Sequence, residues 1–381
     1  MRVCGVTTWY RPMRARGMHE VHRVSTPLEL FFDLCFVVAV SQAAAQLHHA
    51  LGSDHPGTGV LHYAMIFYAI WWAWMNFTWF ATAYDTDDGV YRATTLVQIT
   101  GVLIMAAGVQ RAFENDWRIV IAGYVVMRLA MVSQWLRAAK SDPGRRRTAL
   151  RYAVGIFVLQ LLWLTLPLLP VWVFVVFALL EMAVPIWAEH TTPTTWHPHH
   201  ITERYSLFTL IVLGESVLAA TAATQAALDS GTGIADLAVL AASGLLIVFG
   251  MWWLYFDRPA SYLLTSLRTS LIWGYSHYLV FASAAAVGAG LEEAVEAHDH
   301  IGWAIAVPVA VYVLSAWALQ VRPRKEYVLD AVHLGAAALI LLTPLTPWAV
   351  PATAVVVVLL VVFSLLLGRP SNLEPPQLLE S

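Results

Sequence analysis

Charged side chains are scarce in this sequence: they make up 12% of its 381 residues, against a hydrophobic fraction of 59%. Soluble domains carry about a quarter charged residues, so a water-soluble globular fold is excluded for most of the chain. The 22 basic and 25 acidic residues nearly balance, and an even balance gives no overall field that would attract nucleic acid. We therefore predict a membrane protein that does not bind nucleic acid.

Cysteines and the common nucleotide or hydrolase motifs are equally scarce. The two cysteines, Cys4 and Cys35, form no CxxC pair, which argues against a disulfide framework or thiol redox chemistry. The sequence contains no Walker lysine loop, GxSxG elbow or GxGxxG turn, so the simplest routes to nucleotide use or ester hydrolysis are excluded. No histidine spacing matches a zinc pattern such as HExxH. We predict no cofactor, no metal site and no catalytic residues.

Long apolar runs are what the sequence has instead. A bilayer core needs about 20 mainly apolar helical residues, and runs of that length recur along the whole chain. They predict an all-α, polytopic transmembrane bundle of about twelve spans, at residues 28–49, 60–83, 92–111, 117–139, 148–166, 170–188, 201–224, 235–256, 269–290, 300–320, 327–343 and 347–368. The eleventh run is short and is bounded by prolines, so eleven spans with a kinked hairpin is the alternative.

The placement of arginine and lysine predicts the orientation in the membrane. When the N-terminus is placed in the cytoplasm, nearly all of the 22 basic residues fall on the cytoplasmic side, as the positive-inside rule requires. Residues 1–24 then form a basic cytoplasmic tail, and residues 369–381 form a polar, disordered cytoplasmic tail. Both termini are predicted to be cytoplasmic.

The two halves of the chain share several features. Each second run is rich in tryptophan, and the fifth and eleventh runs each follow a basic loop. The clearest matches are the acidic motifs at 28–33 and 202–206 and the aromatic–aspartate pairs Tyr84-Asp85 and Phe256-Asp257. Six spans per half is an even number, so the repeats would be parallel and related by an axis along the membrane normal. We predict two six-helix repeats, 25–190 and 191–368.

Three motifs cover the starts of both halves. They are Pro27–Leu34 followed by Phe36–Ala39, Tyr84–Asp88 with Arg92, and Glu203–Ser216. With these motifs the chain resembles the bacterial low-temperature-requirement protein A family, and the spacing is kept over most of its length. The resemblance implies a multi-pass protein of the bacterial plasma (inner) membrane that is associated with growth in the cold or under stress. It implies no particular biochemical activity.

Acidic residues inside apolar runs are the best site candidates, because an ionisable group at mid-helix costs about 2.5–3.5 kcal/mol and usually faces the bundle interior. Glu29 and Asp33 lie one turn apart on one helix face, which suits a proton relay or a cation site. Alternatively, they cap the helix or pair with basic loops. Glu215, flanked by Gly214 and Ser216 near the middle of the seventh run, is either a functional acid or a protonated hydrogen-bond partner between helices.

The remaining candidates are two ionisable residues within apolar runs and a set of loop charges. Arg128, in the middle of the fourth run, is a natural counter-ion for one of these acids, or else forms a purely structural pair. His277, in the ninth run, would titrate near neutral pH in a proton-coupled device, or else is a lone histidine bonded to a neighbouring helix. The loop charges are Asp85, Asp88, Arg92, Asp257 and Arg268. They occupy corresponding cytoplasmic loops of the two halves. We predict that they form ion pairs that stabilise alternate states of a transporter, or else that they are solvated loop charges.

Three functions are consistent with these features. The first is a transporter or channel for a small solute or ion, with proton coupling as one form, in which Glu29, Asp33, Glu215 and Arg128 line an axial pathway. The second is a non-transporting membrane protein that supports stress adaptation through partners or lipid state. The third is an intramembrane enzyme on a lipid or isoprenoid substrate. The lipid bilayer is the expected partner, with a small solute, proton or cation as ligand, and the sequence leaves the oligomeric state open.

Overall fold

The chain is all-helical in the computed structural model, which describes residues 8–17, 20, 23–229, 234–296 and 301–367. Within these residues there are twelve long helices: α1 (Pro27–Leu51), α2 (Pro56–Tyr84), α3 (Gly89–Phe113), α4 (Arg118–Ser141), α5 (Arg146–Trp163), α6 (Val173–Glu189), α7 (Pro198–Asp229), α8 (Ile234–Phe256), α9 (Leu267–Glu296), α10 (Ile301–Ala316), α11 (Tyr327–Leu342) and α12 (Ala349–Leu367). Short 3₁₀ or π turns connect several of them. The tail predicted at 369–381 lies outside the described residues.

Ten helical segments of the described chain are long and apolar enough to cross a membrane. The prediction of an all-α, multi-pass membrane protein is confirmed at that level. The two long helices not among the ten are α2 and α6. Helix α6 has only 17 residues, and α2 is rich in Trp and Tyr, whose rings carry polar groups and are less hydrophobic than aliphatic side chains. The count of twelve spans stays a prediction.

Helix α1 begins at a capping box that also fixes a site residue. The side chain of Thr26 accepts a hydrogen bond from the Glu29 N–H at 3.3 Å, and the Glu29 carboxylate accepts one from the Thr26 N–H at 2.7 Å. Pro27 occupies the first helical position, where its missing N–H costs nothing. These local bonds set the first turn of α1 and hold the Glu29 carboxylate at that end of the bundle.

Helix α2 forms the centre of the bundle. It packs against α1, α3, α4, α7 and α9, and the side chains of Trp71, Trp72 and Trp74 are almost completely buried. Trp252 and Trp253 in α8 are instead 43% and 42% exposed, as expected for rings that face lipid. The tryptophan-rich pattern of the two runs therefore has different structural outcomes in the two halves.

Helices α7 and α9 approach each other closely at Gly288. A Cβ atom at this glycine would lie 2.9 Å from the Cα of Ser216, so only glycine allows the two backbones this distance. The hydroxyl of Ser216 donates a hydrogen bond to the carbonyl of Ala284 at 2.9 Å. Helix α9 also packs on α1 and α2, so this contact helps to place α7 beside α1.

The N-terminal segment crosses one end of the bundle. We call residues 8–17 the strap. Its carbonyls at Thr8 and Trp9 accept hydrogen bonds from the N–H groups of Gly89 and Val90 at 3.0 and 3.1 Å, and Met13 is completely buried. The strap covers the end where α2 stops and α3 begins, which we call the strap end.

Candidate functional site

The strongest polar contact between α1 and α7 joins Asp33 to Arg204. The Arg204 Nε donates to Asp33 Oδ2 at 2.8 Å, and its Nη2 donates to Oδ1 at 2.5 Å. The indole N–H of Trp74 donates to the same Oδ1 at 2.6 Å. Asp33 therefore accepts three hydrogen bonds in an interior that excludes water, and the fork of Arg204 is held in one orientation.

Glu29 extends this contact toward the strap end. Its Oε1 lies 3.3 Å from Arg204 Nη1, 3.1 Å from His200 Nε2 and 3.1 Å from Arg23 Nη2. Glu29, Asp33, His200 and Arg204 are all completely buried, and Arg23 is 5% exposed. We call these five residues the α1–α7 cluster.

The local sequence explains how the α1–α7 cluster assembles. Glu29 and Asp33 are four residues apart on α1, and His200 and Arg204 are four residues apart on α7. Residues at this spacing share a helix face, so each helix presents two ionisable groups in the same direction. The Arg204 guanidinium also lies 5.8 Å from the centre of the Phe77 ring. The cluster thus brings two acids, two arginines and an imidazole together, which can hold or pass a proton.

Arg128 has a different partner from the one expected. Its Nη2 lies 3.6 Å from Glu181 Oε1, and within the described chain this is its one ion pair. Tyr124 donates a hydrogen bond to Glu181, and Gln160 donates another at 3.2 Å. All four side chains are buried between α4, α5 and α6. Arg128 thus belongs to a second buried network, and Glu181 is an acid that the sequence reasoning did not single out.

Glu215 is separate from both networks. It is half-buried on α7, and a Cβ added to its neighbour Gly214 would have nothing within 4 Å. The flanking glycine therefore faces open space, while Ser216 makes the close contact with α9. Glu215 lies close enough to Glu292 of α9 for their charges to interact. Its surroundings belong to the end of the bundle opposite the strap.

His277 joins α9 to α8. Its Nδ1 is 2.7 Å from the carbonyl of Trp273, and its Nε2 is 2.8 Å from the hydroxyl of Tyr255. Both ring nitrogens therefore have partners, and the side chain is completely buried. This geometry matches the alternative of a histidine bonded to a neighbouring helix.

Asp85 and Asp88 bind the N-terminal segment to the loop between α2 and α3. The Asp85 carboxylate lies 3.4 Å from Arg16 and 3.8 Å from Arg23. Burial and the nearby carboxylate of Glu29 raise the pKa of Asp85 to about 6, against the opposite effect of the two arginines. Asp88 caps α3 through the Tyr91 N–H at 2.8 Å.

Arg137 forms an ion pair with the buried carboxylate of Asp88. Burial would raise the pKa of Asp88, but hydrogen bonds from Arg137 and from two backbone N–H groups lower it below its usual value. Arg137 also donates to the carbonyl of Arg11 in the strap at 2.7 Å. The strap is therefore fixed to α3 and α4 through one carboxylate.

Among the other loop charges, Arg92 and Asp257 have local partners. Arg92 pairs with Asp87 at 2.7 Å on the surface. Asp257 pairs with its neighbour Arg258 at 3.1 Å, and Arg268 is exposed. The matching loops of the two halves therefore use different contacts. These contacts do not support ion pairs that would stabilise transporter states in the same way in both halves.

Two surface clefts lie away from the α1–α7 cluster. One, of about 610 Å³, is lined by Leu240, Trp303, Pro344 and Trp348, and another, of about 670 Å³, is lined by residues between Pro143 and Thr192. No residue of the α1–α7 cluster lines either of them. The residues of the cluster are buried, so a solute could reach them only if helices moved.

Comparison with known proteins gives a family. Residues 24–367 match the sequence model described as "Bacterial low temperature requirement A protein (LtrA)". A protein of Rhizobium meliloti (strain 1021), named as uncharacterized, is 30% identical over an alignment of 247 positions that covers 60% of this chain. The match covers 57% of that relative's length. No solved structure matches.

Proposed function

This chain belongs to the bacterial low temperature requirement A protein family, and on that premise we propose that it is a membrane transporter or channel for a small solute or ion, coupled to protons. The observation that carries the proposal is the α1–α7 cluster: two carboxylates, two guanidinium groups and an imidazole, completely or almost completely buried. By the family's name, we further propose a role in growth at low temperature or under stress.

Stability alone is a weak reason for such a cluster. Replacing a buried ion pair by well-packed apolar residues is often neutral or stabilising, because desolvation of the charges offsets their attraction. Intramembrane ionisable groups more commonly mark ion pathways and proton relays. A buried Asp33 with three hydrogen-bond donors is a group whose protonation would change the contact between two helices.

The proposed mechanism is a proton-dependent contact between α1 and α7. With Asp33 ionised, the bidentate bond to Arg204 holds the two helices together. A proton delivered through Glu29 and His200 from the strap end would neutralise an acid and weaken the hold on Arg204. Helices α1 and α7 would then separate and admit the solute, as in transporters that rock one bundle against another.

Buried donors on α2, where it contacts α9, support a polar path. In the described part of the chain, the indole N–H groups of Trp71 and Trp72 are buried and have no hydrogen-bond partner. Both rings contact α9, where the ring centres of Trp72 and Tyr275 are 5.5 Å apart and those of Trp71 and Tyr278 are 5.4 Å apart. Unsatisfied donors in an apolar interior are costly, so these N–H groups are free to donate a hydrogen bond to an oxygen atom of a passing polar solute or water.

The repeated architecture is part of the proposal. We propose two parallel six-helix repeats, with both termini on the cytoplasmic side of the plasma membrane. Several pairs of neighbouring helices recur in α1–α6 and in α7–α12, which supports the repeat. In each half the first helix packs on the second and the third, and every later helix packs on the next one. The α2–α3 and α8–α9 contacts are slight.

Cysteines placed at Asn115 and Gly144 test the orientation. An impermeant thiol reagent added outside should label the first and not the second, and the reverse labelling would contradict it.

The transport proposal is tested in proteoliposomes. We expect charge movement when a proton or ion gradient is imposed on the purified protein. Glu29→Gln should slow it at least about tenfold, because the proton site at the entrance is lost. Asp54→Asn, an exposed acid between α1 and α2, is the matched control and should behave as wild type. The absence of charge movement under every ion and proton gradient would refute the proposal.

A second function is favoured by one observation. Asp33 accepts short hydrogen bonds from both Arg204 and Trp74, as the acid of a structural pair would. In that case the protein supports stress adaptation through partners or lipid state, without transport. Glu29→Gln would then reduce the yield of folded protein and the cold-growth phenotype, while wild-type protein would show no flux to lose. The same proteoliposome experiment separates the two functions.

A further inference from the structure

A histidine and two glutamates converge at the end of the bundle opposite the strap. His48 lies in the last turn of α1, and Glu293 and Glu296 lie in the last turn of α9. The His48 Nε2 is 3.4 Å from Glu293 Oε2 and 3.4 Å from Glu296 Oε2. One possible ligand atom from each residue lies within 4.8 Å of those of the other two.

We infer that these three residues bind a divalent transition-metal ion, with Zn²⁺ as the reference ion. Zinc binds nitrogen and carboxylate oxygen at about 2.0–2.2 Å in a tetrahedron, whose ligand–ligand edges are then about 3.3–3.6 Å. The two distances from His48 fall in this interval. One water ligand would complete the four positions, because the Glu296 side chain is half exposed.

His48 is an independent sign of a ligand. The residue is 8% exposed, and its Nε2 is buried without a hydrogen-bond partner in the described structure. It nevertheless points between two carboxylate oxygens at equal distances. A buried ring nitrogen in this position is costly unless it bonds to something, and a metal ion between the three atoms would satisfy it.

The surrounding charge also favours a cation. Glu292 lies 4.0 Å from His48 Nδ1, where a carboxylate can orient the ring of a metal-bound histidine. Glu215 lies near Glu292. The site is formed by the C-terminal ends of two helices, where the backbone carbonyls carry partial negative charge. A nitrogen ligand beside carboxylates suits zinc and similar ions better than Mg²⁺ or Ca²⁺, which prefer oxygen alone.

The binding is tested directly on the purified full-length protein. After removal of metal with a chelator, equilibrium dialysis against ZnCl₂ should give one tightly bound ion per chain. Glu296→Gln should weaken that binding at least about tenfold, since even indirect partners of a metal site commonly contribute 10- to 100-fold. This side chain is half exposed, so its replacement leaves the packing intact. His48→Ala should remove the site.

His49→Ala is the matched control, because His49 is the adjacent residue, of the same type, and exposed. It should bind zinc as wild type does. Cobalt in place of zinc should give the intense visible absorption of a tetrahedral ion, and this band should be lost in Glu296→Gln. Equal zinc affinity in wild type, His48→Ala and Glu296→Gln would overturn the inference. Dialysis measures no flux, so its outcome is independent of the transport proposal.

Discussion

Replacing Asp33 by leucine would leave the guanidinium of Arg204 buried without its bidentate partner. Removing one member of a buried ion pair typically costs about 3–5 kcal/mol, because the remaining charge stays desolvated. Glu29 still lies 3.3 Å from Arg204 after the change. We therefore expect a loss near the lower limit, about 3 kcal/mol of unfolding free energy.

The double substitution Asp33→Leu with Arg204→Met should restore most of this loss. Apolar residues of similar size then fill the space, and Glu29 keeps its contacts with Arg23 and His200 at 3.1 Å each. We expect the double variant to recover at least about 2 kcal/mol of the loss, since such replacements are often neutral or better. The indole N–H of Trp74 loses its acceptor in the single and the double variant alike, so this cost does not contribute to the difference between them. The coupling energy of the pair should be at least about 2 kcal/mol.

The assay is a double-mutant cycle on unfolding free energies measured by steric trapping in lipid bicelles. Asp87→Asn is the comparison for an exposed pair: Arg92 and Asp87 bond at 2.7 Å with 45% and 35% exposed side chains. It should cost less than about 1 kcal/mol. Asparagine also tolerates the positive φ of 47° at this position. A double variant as unstable as Asp33→Leu alone would refute the reasoning, because the cost would then not come from an unpaired charge.

Three further outcomes are expected. Gly288→Ala should lower the unfolding free energy by about 1–3 kcal/mol, because the added Cβ would lie 2.9 Å from the backbone of α7. Gly214→Ala should be neutral or stabilising by up to about 1 kcal/mol. Equal effects of the two substitutions would contradict the close approach of α7 and α9 at Gly288. The pKa of Asp85 is raised to about 6, so the folded state holds the proton more tightly, and unfolding free energy should fall by up to about 3 kcal/mol as pH rises from about 4 to 6. Asp85→Asn should remove this slope, and a difference from wild type that is independent of pH would contradict the assignment. The hydroxyls of Tyr63 and Tyr278 each donate a hydrogen bond to a carbonyl across the α2–α9 contact, at 2.7 and 2.8 Å. Tyr63→Phe and Tyr278→Phe should each cost about 0.6 kcal/mol in the same unfolding assay. Losses above about 2 kcal/mol would show that these tyrosines do more than form one hydrogen bond between helices.

The helices could be predicted because each membrane span requires about 20 consecutive apolar residues, and such runs can be recognised along the sequence without knowledge of tertiary contacts. Each predicted run overlaps one observed helix, and the first run, at 28–49, lies within α1. The central position of α2 could not be predicted. Its tryptophans are equally consistent with a lipid-facing belt, and only the packing of five neighbouring helices decides between them.

The partners of the buried charges were harder to predict than the charges themselves. Arg128 was identified from its depth in the sequence, but Glu181 was overlooked because it lies within a strongly apolar helix, where one acid gives no periodic signal. His200 and Arg204 had such a signal, since they repeat the four-residue spacing of Glu29 and Asp33. The pairing between α1 and α7 still depends on tertiary contacts, which sequence spacing within one helix does not contain.

Helix α1 connects the first half of the chain to the second at both of its ends. At the strap end Asp33 and Glu29 bind α7, and at the opposite end His48 faces the carboxylates of α9. By our proposals, the first contact depends on protons and the second on a metal ion. A motion that separates α1 from α7 while His48 stays with Glu293 would be a tilt about the far end of α1 rather than a parallel shift. Since Gly288 and Ser216 hold α7 against α9 between these two ends, the tilt would open the strap end, where Asp85 and the strap lie.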